Sequence, residues 1–77
     1  MTTYPASHDW RIKINGQEHG VPHVHVEFRD GSRVSVAITT GAVLAGFVSP
    51  ARRLNAALAD IATNAATYLN EYRRLNP

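Results

Sequence analysis

The stretch His23–Ala37, HVHVEFRDGSRVSVA, decides the fold. Val24, Val26 and Phe28 alternate with His23, His25 and Glu27. Beyond Asp30-Gly31, Val34, Val36 and Ile38 alternate with Arg33, Ser35 and Ala37. Apolar residues at a period of two mark half-buried strands, and the Asp-Gly pair between the two runs marks a hairpin. Residues directly opposite in such a hairpin share a side of the sheet, so the two patterns test the loop length. A two-residue turn would set Phe28 against Arg33 and Val26 against Ser35, mixing apolar and polar on both sides. A three-residue loop, Arg29-Asp30-Gly31 with Gly31 left-handed in a bulge, opposes Glu27 to Arg33, Val26 to Val34, His25 to Ser35 and Val24 to Val36. The second register keeps each side uniform and is the one expected.

Working outward, Trp10, Ile12 and Ile14 alternate with Arg11, Lys13 and Asn15, which predicts a strand that closes at Asn15-Gly16. Gln17 to Pro22 is a loop, because Gly20 and Pro22 both oppose regular structure. Met1 to His8 has no periodicity, and residues 1–9 are expected to form a flexible arm ahead of one domain over residues 10–77. Thr40-Gly41 turns the chain into a short strand, Ala42 to Phe47, with Val43 returning beside Ile38.

Ser49-Pro50 is a helix start, with serine as cap and proline in the first turn. From there Leu54, Leu58, Ile61, Ala65, Tyr68, Leu69, Tyr72 and Leu75 recur at helical spacing. An unbroken helix from Pro50 to Leu75 would run about 39 Å at 1.5 Å per residue, well past strands that span roughly 20 to 24 Å. Thr63-Asn64 has weak helix propensity and offers a second cap, so two helices are expected. The fold class is therefore α+β: an antiparallel meander of three to four strands, with two carboxyl-terminal helices packed on one face.

At 77 residues the chain has room for one small domain, and a domain of this size buries only about 60% of its unfolded surface, so a second subunit is expected. Hydrophobic residues make up 44% and charged residues 18%, the balance of a packed protein. The absence of cysteine excludes disulfides and thiolate metal sites and fits a reducing cytoplasm. No apolar run approaches the roughly 20 residues of a bilayer span, and the first residues lack the pattern of a signal peptide, so a cytoplasmic protein with no membrane contact is expected. The net charge of +2 comes from residues 50–77, where Arg52, Arg53, Arg73 and Arg74 face Asp60 and Glu71; the first 49 residues balance. An isoelectric point near 9.5 permits an anionic partner without requiring one.

The apolar set Trp10, Ile12, Ile14, Val24, Val26, Phe28, Val34 and Val36 needs the helices, which leaves the other side of the sheet open to solvent. That side gathers Arg11, Lys13, His23, His25, Glu27 and Arg33, with His19 at its rim. Three readings of this face stand open. In the first, His19, His23, His25 and Glu27 are catalytic acid–base candidates, and Arg11, Lys13 and Arg33 bind nucleic acid, the division of labour of a metal-independent ribonuclease. In the second, His19, His23 and His25 ligate a metal, since residues two apart in a strand have α-carbons about 6.5 to 7 Å apart and their rings can converge. In the third the histidines are half-buried strand and loop residues and the arginines a solvated surface. No cofactor is expected on the first reading. Trp10, Tyr68 and Tyr72 read as core, and Arg52-Arg53 and Arg73-Arg74 as helix-surface charge.

The run RIKINGQEHGVPHVHVEFRDGSRVSVAITTGAVLAG, Arg11 to Gly46, followed by a proline-started helical tail, resembles the bacterial proteins of domain-of-unknown-function family 4160. The resemblance rests on Pro22, His23, Val24, His25 and Val26, on Asp30-Gly31, and on Thr40, Gly41, Leu44 and Gly46; the tail departs at Ile61, Ala65, Ala66 and Tyr72. It implies an arrangement like a toxin–antitoxin module, with a small cognate partner protein and RNA as a target. Whether such a protein is an enzyme is left open by the resemblance.

Overall fold

The computed structural model describes residues 1–5 and 7–77. Five strands, β1 (Thr2–Pro5), β2 (Trp10–Ile14), β3 (His23–Phe28), β4 (Arg33–Ala37) and β5 (Val43–Phe47), form one antiparallel sheet in sequence order. A 3₁₀ turn (Ala51–Leu54) then leads into α1 (Asn55–Thr63) and α2 (Ala65–Leu75).

The β3–β4 pairing has the register that the alternation selects: Glu27 faces Arg33, Val26 faces Val34, His25 faces Ser35 and Val24 faces Val36. Gly31 takes the left-handed φ of 92° that the three-residue loop demands. Across β2 and β3, Ile12 faces Val26 and Lys13 faces His25, so the apolar rows run unbroken on one side. Ile12, Ile14, Val24, Val26, Val34 and Val36 are fully buried there against Leu54, Ala57, Ile61, Tyr68 and Tyr72 of the helical segment. The helices break at Asn64, whose side-chain amide donates to the Asp60 carbonyl (3.0 Å) and carboxylate (3.1 Å), closing α1 and not capping α2. Among the described residues no helix is long and apolar enough to cross a membrane.

Three expectations need correction. The sheet has five strands, because Thr2–Pro5 pairs with β2 where an arm was expected; Ala6 lies outside the described residues. Tyr4 drives this pairing: opposite Ile12 it falls on the apolar side, with its ring 5.0 Å from that of Tyr68. Val43 returns beside Val36, not Ile38, because a bulge shifts the β4–β5 register between Ser35 and Val36. Ser49 does not cap the helix: Pro50 is extended (ψ 154°), and the Ser49 carbonyl accepts from Arg53 Nη1 (3.0 Å).

Arg53 is more than helix-surface charge. Its guanidinium donates to Asp9 (2.8 and 3.1 Å) and Asp30 (2.8 Å) and lies 5.2 Å from the centre of the Phe28 ring, tying the helical segment to the β1–β2 and β3–β4 connections. Arg53 holds both carboxyls below the usual carboxylate range. Their stabilisation is then present above the unfolded pKa of about 3.9 and is lost as pH falls through the depressed folded values. Arg53→Met should lower the melting temperature at pH 7, and the gap from wild type should shrink below about pH 4; thermal melts across that range check this.

Candidate functional site: an open arginine and phenylalanine face beside a closed histidine cluster

Two rows of side chains cross the sheet opposite the helices. One runs Arg11, Glu27, Arg33, Phe47, and the next Lys13, His25, Ser35, Ala45. The rows place Arg11, Lys13, Glu27 and Arg33 on one side, as the alternation requires, but give them different work. Glu27 pairs with Arg11 Nε (3.0 Å) and Lys13 Nζ (3.6 Å), while Arg33, its cross-strand neighbour, forms no ion pair within 4 Å among the described residues. Burial raises and the three nearby cations lower the Glu27 pKa, with a net downward shift. Glu27 is thus held ionised between cations, and its oxygens are committed to them.

At the turn end of these strands a cleft of about 530 Å³ is lined by Arg11, Glu27, Arg29 and Arg33 with the segment around His8. Arg29 also lacks a carboxylate partner among the described residues, donating only to the His8 carbonyl (3.4 Å). On the far side of Arg33 stands Phe47, 81% exposed, on the edge strand β5. Reading from the sequence missed Phe47. In VLAGFV it looks like one more core residue, and only the bulge in β5 and the left-handed Gly46 turn it outward.

His23 and His25 are not open to solvent, which corrects the expectation for this face. His25 is only 8% exposed and His23 is half-buried; both carry the loop from Asn15 to Pro22 against them. His23 Nδ1–H donates to the Val21 carbonyl (2.8 Å), and its ring lies 5.1 Å from that of His25 and 5.7 Å from Tyr72. His25 Nδ1 meets Ser35 Oγ (3.0 Å) and Nε2 meets Glu18 Oε1 (3.1 Å). Glu18 Oε2 lies 3.7 Å from His23 Nε2. The His25 contact holds the Glu18 carboxyl below its ordinary pKa against the opposing effect of burial. His19, expected as third member of the cluster, points out from the loop and is exposed; Glu18, one residue earlier, takes the place. The loop is fixed from outside as well, since Asn76 accepts from the Glu18 N–H (2.7 Å) and donates to the Asn15 carbonyl (3.0 Å).

The fold and this site define a small antiparallel α+β domain that carries an open cationic sheet face and a closed Glu-His-His cluster. The chain matches the family "Domain of unknown function (DUF4160)" over residues 9–73 and belongs to it. No curated protein and no solved structure matches the chain.

Proposed function

We propose that the chain binds single-stranded RNA on the open face, with Phe47 as a stacking platform and Arg33 and Arg29 as phosphate contacts. The observation that carries this reading is the exposed Phe47 ring in register with Arg33, which forms no ion pair within 4 Å among the described residues. Bases present a π-face to any exposed aromatic, and a neighbouring guanidinium offers both charge for the backbone and a plane for stacking. The cleft beyond Arg33 continues the path for a strand of nucleic acid. The reading is one of binding: His23 and His25 are engaged beneath the loop, and Glu27 is held between Arg11 and Lys13.

Anisotropy titrations with a labelled oligouridine of about ten nucleotides test the reading. Phe47→Ala should weaken binding about 5- to 150-fold, the equivalent of about 1–3 kcal/mol for one stacked base. Arg33→Ala should reduce the slope of log affinity against log salt by about one phosphate contact. Equal affinities for wild type and both variants would remove this face from consideration. If the protein acts within a toxin–antitoxin module, growth arrest on its expression should weaken with the same two substitutions.

A second reading is favoured by the β5 edge, where Val43 and Leu44 are half-exposed beside Phe47 and the outer backbone groups have no strand partner among the described residues. Such an edge accepts a strand from a cognate partner protein or a second copy. Concentration-dependent mass in size-exclusion chromatography with light scattering, lost in Leu44→Lys, would support it.

A further inference from the structure

We infer that Glu18, His23 and His25 form a binding site for a divalent transition-metal ion of the zinc class. Ligand atoms of the three residues all lie within 4.8 Å of one another. A tetrahedral zinc with bonds of about 2.0–2.2 Å sets neighbouring ligand atoms about 3.3–3.6 Å apart. The two carboxylate–imidazole separations, 3.1 Å from Glu18 Oε1 to His25 and 3.7 Å from Oε2 to His23, bracket that range.

Proton bookkeeping points the same way. A carbonyl oxygen can only accept, so the Val21 contact fixes the proton of a neutral His23 on Nδ1 and leaves the Nε2 lone pair facing the Glu18 carboxylate. A lone pair facing an anion calls for a positive centre between them. His25 reaches the matching arrangement by a change of tautomer: its Nε2–H bond to Glu18 is given up when Ser35 Oγ accepts from Nδ1–H, and the Nε2 lone pair then faces the carboxylate as well. Each imidazole therefore has its outer nitrogen held by an oxygen and its inner nitrogen turned toward a common point, the arrangement that orients metal-binding histidines.

The neighbouring cations do not oppose an ion here, because Arg11 and Lys13 are drawn to Glu27. Two imidazoles and one carboxylate leave a fourth position for water or a further ligand. Since Glu18 lies in the loop and both histidines in β3, the ion would pin the loop to the sheet and, through the Glu18–Asn76 contact, the end of α2.

Isothermal titration of the untagged, chelator-stripped chain with zinc chloride, paralleled by visible spectra with cobalt, tests the site. Wild type should take up one ion per chain, melt at higher temperature when loaded, and give the intense visible bands of tetrahedral cobalt. Glu18→Gln and His23→Gln, which retain size and polarity, should each remove these bands, and Ser35→Ala should weaken binding about 10- to 100-fold. His19→Ala should bind as wild type does. Absence of binding by a folded wild type, or loss of binding in His19→Ala with retention in Glu18→Gln, overturns the inference. Neither result bears on RNA binding, which uses different residues.

Discussion

Gly46→Ala should be among the most damaging single substitutions in the chain. A Cβ built on Gly46 would sit 2.1 Å from the Arg33 carbonyl oxygen and 3.2 Å from Val34 Cα, both backbone atoms of the paired strand. Neither can withdraw without opening the β4–β5 ladder. The residue also has a φ of +81°, a region in which a side chain costs about 1–3 kcal/mol before any clash is counted. Against a total stability of about 4–12 kcal/mol for a chain of this size, the expected result is detachment of β5 or global unfolding. Hydrogen exchange checks this: the amides of β5 should lose protection first, while those of β2 and β3 hold longest in any fraction that stays folded.

Ile12→Ala should be comparably severe for a different reason. Ile12 is fully buried at the centre of β2, opposite Val26 on one side and Tyr4 on the other. Truncation removes its contacts and leaves a void beneath the helices, a loss of about 2–5 kcal/mol. Ile12→Val keeps most of the volume and should cost only about 0.5–1.5 kcal/mol. Urea denaturation of the two variants should separate them clearly, with the alanine chain partly unfolded in the absence of denaturant.

The pairing of β2, β3 and β4 was legible because alternation there is strict and only one loop length keeps both sides uniform. Thr63-Asn64 was legible as a break for the same kind of local reason. Thr2–Pro5 was not: with Tyr4 as its one large apolar residue it has no pattern, and it becomes a strand only because β2 offers a free edge and Tyr68 a surface for the ring.

The candidate sites divide along the same line. Period two assigned His23 and His25 to one side of the sheet, but not what would lie over them. That depends on the path of the Asn15–Pro22 loop, which Asn76 fixes from 58 positions away. The same path decides that Glu18 turns inward and His19 outward. Arg53 reads as surface charge until its two acidic partners, 44 and 23 positions distant, are brought together. Phe47 is the opposite case, an apolar residue in an apolar run that a bulge leaves outside. In each instance the residue type was visible and its surroundings were not, because long-range packing set them.

The proposed RNA site lies on the open face, with Phe47 at its centre. Titration of the isotopically labelled chain with a short single-stranded RNA, followed by nuclear magnetic resonance, tests it most directly. Ring-current shifts and intermolecular contacts are expected at the Phe47 ring, with amide shifts spreading through Arg33 and Arg29. An unmoved Phe47 ring, with shifts confined to the helices or to the loop around Glu18, would contradict this placement.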